Sequence, residues 1–252
     1  MPITDPVFYL VAIPAVLLLG ISKGGFGSAL GGIGVPLMSL AISPLQAAAI
    51  LLPLLCFMDV VGFRVYYRKW DLPNLKIMIP GALLGIAIGA LTFGMFSESV
   101  IRVLIGGIAV LFTLNSWFGL AARQEAAARS VVKGTFWSGM SGFTSFIAHA
   151  GGPPAMVYML PQRLDKTSYV ATISVFFMAV NAVKLLPYAW LGQFSSDNLI
   201  SSLLLAPLVP AGVWLGLWLQ KRVNTLWFYR ISQICLLLTG LQLIYQGMSH
   251  LI

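Results

Sequence analysis

Apolar runs of bilayer-crossing length, parted by short polar loops, fill this chain from Val7 to Gly247. That pattern limits the possible folds more than any motif within it. A hydrocarbon core has no water to bond free N–H and C=O groups, so a spanning backbone is either helical or a closed barrel. The runs at residues 45–67, 77–96 and 100–120 are continuous rather than alternating, and about 20 helical residues cross the core. The expectation is an all-α, polytopic integral membrane protein whose first partner is the lipid bilayer. Composition agrees. Of 252 residues 59% are hydrophobic and 9% charged, where a soluble domain carries about 25% charged residues. The net charge of +8 does not imply nucleic acid, because the basic residues are dispersed among the loops rather than gathered in one patch. Cys56 and Cys235 sit in separate apolar runs without metal-ligand spacing, and read as core residues. No cofactor or metal is expected. Residues 1–6 lack a basic leader, so no cleaved signal is expected either.

Two stretches interrupt the apolar pattern. Residues 20–36 hold seven glycines and one charge, Lys23. Residues 139–154 end in His149-Ala150-Gly151-Gly152-Pro153-Pro154. Glycine weakens a helix and lets a ligand approach the backbone closely. Broken backbone at membrane depth is tolerated where it is buried in protein or lines a wet cavity. Interruptions at matching places in two halves are the best sequence pointer to a transporter's binding site. Bulky replacement at Gly25 or Gly152 is accordingly expected to abolish function and leave expression largely intact.

The halves do match. Gly20 and Ser22 align with Gly139 and Ser141 at a shift of 119, and Gly34 and Pro36 with Gly152 and Pro154 at 118. Met58, Arg64 and Trp70 align with Met178, Lys184 and Trp190 at 120. Gly81 and Gly85 align with Gly212 and Gly216 at 131, and Arg102 with Arg230 at 128. The shared order implies a duplication. Residues 1–122 form the first repeat, 123–133 a cytoplasmic connector, and 134–252 the second repeat. Each repeat is expected to hold five membrane segments, the first two short or broken. They lie at 7–22, 28–42, 45–67, 77–96 and 100–120, then at 135–148, up to 160, 168–191, 199–219 and 226–247. Cytoplasmic loops carry the excess of lysine and arginine. The loop after the third segment is basic, with Arg64, Arg68, Lys69 and Lys76, whereas its partner at residues 192–198 holds no basic residue. After the fourth segment the bias reverses, with Glu98 in one half and Lys221, Arg222 and Arg230 in the other. The repeats should therefore be inverted, with both termini outside.

Charges within membrane segments are costly and default to functional candidates. Lys23, Asp59, Arg64, His149 and Lys184 meet that description. Asp59 has the chemistry to pair with one of the cations or to carry a proton, and His149 to carry a proton or bind substrate. Arg64 and Lys184 occupy equivalent positions and read either as a gating pair or as interfacial anchors that snorkel. Ser22, Ser145 and Asn181 add neutral polar groups. With Gly24, Gly25, Gly32, Gly34, Gly151 and Gly152 these residues make up the expected substrate site. Trp70, Trp190, Trp227 and Tyr188 read as interface aromatics. Cations outnumber carboxylates, and short-helix N-termini near the breaks also suit an anion.

The glycine-rich first break, the helix–loop pattern, the duplication and the Gly-Gly-Pro-Pro second break resemble the sulfite exporter TauE/SafE family, also described as the sulfonate uptake permease family. The resemblance covers essentially the whole chain. It implies a secondary transporter of the cell membrane, in bacteria the inner membrane, that carries sulfite or an organosulfonate with protons as the coupling ion. His149 and the Pro-Pro pair depart from the family's glycine-rich second break. Two other classes fit less of the sequence. An aquaporin-like channel would carry paired Asn-Pro-Ala motifs, which are missing. A membrane enzyme or assembly factor would cluster His, Asp or Glu, but this chain has two histidines, 101 residues apart, and seven acidic residues. No hydrolase, kinase or dinucleotide motif is present, and catalysis is not expected.

Overall fold

The protein is described by a computed structural model covering residues 3, 5–92, 97–118, 126–190 and 192–249. Among the described residues every regular element is helical. The ends of the expected fourth and fifth segments (93–96, 119–120), the start of the connector (123–125) and residue 191 lie outside them.

The helices begin where the sequence supplies caps. Asp5 accepts from the Val7 N–H ahead of α1 (Pro6–Gly25), with Pro6 in the first turn. Ser43 and Pro44 do the same for α3 (Pro44–Val65), and Asp71 and Pro73 for α4 (Leu72–Leu91). Such caps satisfy N–H groups that the first turn leaves without intrahelical partners. Between α1 and α3 lies the five-residue α2 (Gly34–Met38). The fifth helix, α5, covers Glu98–Phe118, and α6 covers Val131–Ala148. The second break leads into the short α7 (Gly152–Met159), followed by α8 (Lys166–Trp190). The chain closes with α9 (Ser196–Leu205), α10 (Leu208–Arg222) and α11 (Thr225–Ser249). Among the described residues five helices, α1, α3, α4, α8 and α11, are long and apolar enough to cross a membrane.

The expected single segment at 199–219 is instead the pair α9–α10, bent by 45°. Pro207 stands at the bend. It has no N–H to give, and its ring collides with the carbonyl four residues back. The Ala206 N–H bonds to Leu203 O and the Val209 N–H to Ala206 O, tighter turns that take the place of the lost ladder. Together the pair is long and apolar enough for one broken span or a re-entrant loop. The first break is also narrower than expected. Helix α1 runs on to Gly25, Phe26 caps it outside helical geometry (φ −128°), and Gly27 and Ser28 follow with positive φ (60° and 63°).

Packing follows the pairing of the halves. Helix α1 packs on α10, and its counterpart α6 packs on α4, the counterpart of α10. Helix α3 meets its own counterpart α8, and α5 meets α11. The glycine-lined crossings explain the close approaches. A Cβ at Gly20 would sit 2.9 Å from Gly212 Cα, and one at Gly85 would sit 1.9 Å from Gly139 O. Small residues at such positions let backbones touch, the main route to helix association in lipid.

The expected basic loops gather at one end of the bundle. Arg129 bonds both oxygens of Asp71 at 3.1 Å, Ser168 Oγ donates to Lys69 O, and Lys166 Nζ donates to Gln220 O and Val223 O. At the other end Gln46, before the middle of α3, bonds Asn198 at the start of α9.

Candidate functional site

Both breaks are held by serines at the equivalent positions. Ser22 Oγ accepts from the Leu30 N–H at 2.8 Å, and Ser141 Oγ donates to Gly151 O at 2.6 Å. Thr144 Oγ1 adds a bond to Ala150 O. The breaks touch each other: a Cβ at Gly152 would sit 2.8 Å from Ser28 O.

Beside them lies a buried polar chain built from four helices. Lys23, in the last turn of α1, pairs with Asp59 of α3 and lies 3.4 Å from Leu55 O. The second Asp59 oxygen accepts from Asn181 Nδ2 of α8 at 2.7 Å. One turn further along α8, Lys184 Nζ donates to Ser145 O at 2.7 Å and to Ser145 Oγ at 3.3 Å. Its third contact is His149 Nδ1 at 3.4 Å. His149 Nε2 in turn meets the Tyr188 hydroxyl, one further turn along α8. The chain therefore reads Lys23, Asp59, Asn181, Lys184, His149, Tyr188, and it runs along α8 away from the basic end.

Helix-end physics explains why the cations settle here. His149 takes a left-handed conformation as the C-cap of α6, and its N–H bonds Thr144 O. Ser145 O is left without its usual intrahelical donor, and Lys184 supplies one. A lysine near a helix C-terminus also meets the negative end of the dipole. The Tyr66 hydroxyl performs the same service for Gly24 O at the end of α1, and is joined there by Gln220.

The two lysines differ in one respect. Lys23 has a carboxylate partner. Lys184 is fully buried, and its contacts, with Ser145 O and Oγ, His149 Nδ1 and the face of the Tyr188 ring at 5.7 Å, are all with uncharged groups. Among the described residues no ion pair compensates it. The α6 dipole, worth about half a charge, offsets only part of an ammonium. A buried ion without a partner is expensive, and the cost falls when a counter-ion arrives.

Several expectations need correction. Arg64, the sequence counterpart of Lys184, is exposed on the last turn of α3 and takes no part in the cluster. It remains an anchor candidate, whereas Lys184, at 0% exposure, does not snorkel. Tyr188 is no interface aromatic: it is 6% exposed and contacts His149, while Trp190, two residues on, is 91% exposed. Gly24 and Gly25 face α10, where a Cβ would come within 2.4 Å of Val213 O or Gly216 O. Gly32 abuts Thr239 of α11, and Gly34 abuts Leu19 and Leu51. These four serve close packing. Gly151 lies against Ser141 and Ser145, at the edge of the cluster. The N-terminus of α7 offers little to an anion, because Pro153 and Pro154 have no N–H. The spacing of Asn181, Lys184 and Tyr188, a polar stripe at i, i+3 and i+7 on an apolar helix, is the signal that would have placed Tyr188 in the site.

The sequence model of the family described as Sulfite exporter TauE/SafE matches residues 12–243. Neither the curated proteins nor the solved structures include a match to the chain.

Proposed function

Since the chain belongs to the sulfite exporter TauE/SafE family, a family of membrane transporters, we propose that it is a secondary transporter of a small sulfur-containing anion, sulfite or an organosulfonate. It moves this anion across the cell membrane by alternating access, coupled to protons. The observation that carries the reading is Lys184, a fully buried lysine with only neutral partners, whose ammonium form a bound oxyanion would stabilise. An oxyanion beside it supplies the missing charge, with Ser145, His149 and Asn181 as hydrogen-bonding neighbours. Buried in low dielectric, that attraction exceeds its value in water.

The breaks supply the moving part. They interrupt the helices with left-handed backbone at Gly27, Ser28 and His149, they touch at Gly152 and Ser28, and a serine ties each to its own helix. The exchange of packing partners between halves supports two inverted repeats that rock about the shared α3–α8 and α5–α11 contacts. With the basic loops on the cytoplasmic face, both termini lie outside. Cysteines placed at Asp197 and Lys221 are then expected to react with impermeant reagents from opposite faces. Labelling from one face would remove the inverted arrangement.

Transport in liposomes tests the reading as a whole. Sulfite or taurine uptake is expected to saturate, to show counterflow and to respond to an imposed pH gradient. Flux that rises linearly without exchange would indicate a channel.

A further inference from the structure

We propose that Asp59 is a built-in counter-ion that competes with substrate for Lys23 and Asn181, so that the site takes a monoanion as it stands and a dianion only together with one proton. The inference rests on the reading of the Lys184 cluster as an anion site, and it names the coupling group and the charge class of the substrate.

The argument is one of charge and geometry. Asp59 is 2% exposed, and its two oxygens are divided between Lys23 and Asn181. It thus sits as a bound carboxylate would, held by a cation and an amide donor. Asn181 and Lys184 lie one turn apart on α8, so this carboxylate and the uncompensated lysine are neighbours. The charged and titratable groups that face Asp59 are Lys23 from α1, Lys184 from α8, and Cys56 one turn earlier on α3. His149 lies beyond Lys184, and Arg102 of α5 faces it from the other side. Counting Lys23, Asp59 and Lys184, the cluster holds one net positive charge, which a monoanion neutralises. A dianion would leave a net negative charge in a buried site. Protonating Asp59 from bulk water removes that charge and frees Lys23, and the dianion is then held between two lysines. His149 is the weaker candidate for this proton. Its Nδ1 stands 3.4 Å from an ammonium and must present a lone pair to accept from it.

The test uses probes whose charge does not change near neutral pH, sulfate as dianion and methanesulfonate as monoanion, because sulfite itself titrates there. Calorimetry of the purified full chain, in buffers of different ionisation heat, counts protons taken up on binding. About one proton is expected per sulfate and none per methanesulfonate. Sulfate affinity should rise by up to about tenfold per unit fall in pH, the limit for one linked proton. In Asp59→Asn sulfate should bind with no proton uptake and with an affinity independent of pH. His149→Gln should bind more weakly yet keep the uptake. Should Asp59→Asn fail to fold, the wild-type and His149→Gln proton counts still decide. Sulfate binding without uptake, uptake that survives Asp59→Asn, or uptake lost in His149→Gln would each overturn the assignment to Asp59. Binding of neither anion would overturn the anion-site reading itself, and this inference with it.

Discussion

Replacing Lys184 with methionine is expected to weaken anion binding by about tenfold to a hundredfold while leaving the melting temperature unchanged or higher. The two effects have different causes. A hydrogen bond to a charged group contributes about 1.5–3 kcal/mol, so loss of the ammonium should weaken anion affinity by at least about tenfold to a hundredfold. In the free protein the same ammonium is buried without a counter-ion. Exchanging a buried charge for an apolar side chain of similar volume is often neutral or stabilising by about 1–4 kcal/mol. Against this stand the bonds lost by Ser145 and His149, about 1 kcal/mol each. Lys23→Met is the comparison. It leaves Asp59 buried without its cation, and breaking a buried pair costs about 3–5 kcal/mol, so this variant should melt markedly lower. Thermal unfolding in detergent and equilibrium binding of methanesulfonate, normalised to folded protein, measure both quantities. Wild-type affinity in Lys184→Met would remove Lys184 from the site. A loss of stability as large as that of Lys23→Met would make its role structural.

The reasons these predictions were only partly legible in the sequence are physical. Continuous apolar runs with proline and Asp or Ser at their starts specify helices almost by themselves; α1, α3 and α4 begin at such signals, and α8 begins at Asp165 alone. Gly20 and Gly139, matched in the sequence, each stand at a helix crossing, against Gly212 and Gly81, because the need for a bare backbone survives in the residue type. The environment of a charge does not. Lys184 and Arg64 share a repeat position, yet one is enclosed by the end of α6 and the other is exposed, since the helices that cover them differ. Distance from a helix end suggested that Lys184 could snorkel; only the packing of α6 and His149 over it closes that route. The sequence leaves Asp59 as a cation's partner or a proton carrier, and its pairing with Lys23 depends on where α1 ends. That end lies three residues beyond the expected one.

Gly85→Ala is expected to be the most damaging single methyl group in the molecule, and Gly107→Ala nearly silent. A Cβ at Gly85 would stand 1.9 Å from Gly139 O, 2.8 Å from Gly139 C and 2.9 Å from the Phe143 nitrogen, whereas one at Gly107 meets nothing within 4 Å. The obstructing atoms at Gly85 are backbone of another helix, so no rotamer change relieves the clash. Helices α4 and α6 must separate along their whole crossing. Overpacking that side chains can absorb costs about 1–3 kcal/mol, and a clash with rigid backbone should exceed it. Gly25→Ala meets the same obstacle at the α1–α10 crossing, with Gly216 O at 2.4 Å. It is therefore expected to lower folded yield, in contrast to the sequence expectation that bulk at Gly25 would spare the fold. Gly152 is a different case. Its missing Cβ faces the single backbone atom Ser28 O at 2.8 Å and otherwise nothing nearer than 3.9 Å, so alanine demands a smaller displacement than at Gly85 or Gly25. Gly152→Ala should fold with nearly normal stability and transport slowly, because the residue that moves is the one at which the two breaks touch. Yield of monodisperse protein, melting temperature and liposome flux across the four variants separate these outcomes. Normal flux in Gly152→Ala would show that contact between the breaks is not part of the transport cycle. Normal yield in Gly85→Ala would mean that α4 and α6 do not cross as closely as Gly85 and Gly139 require.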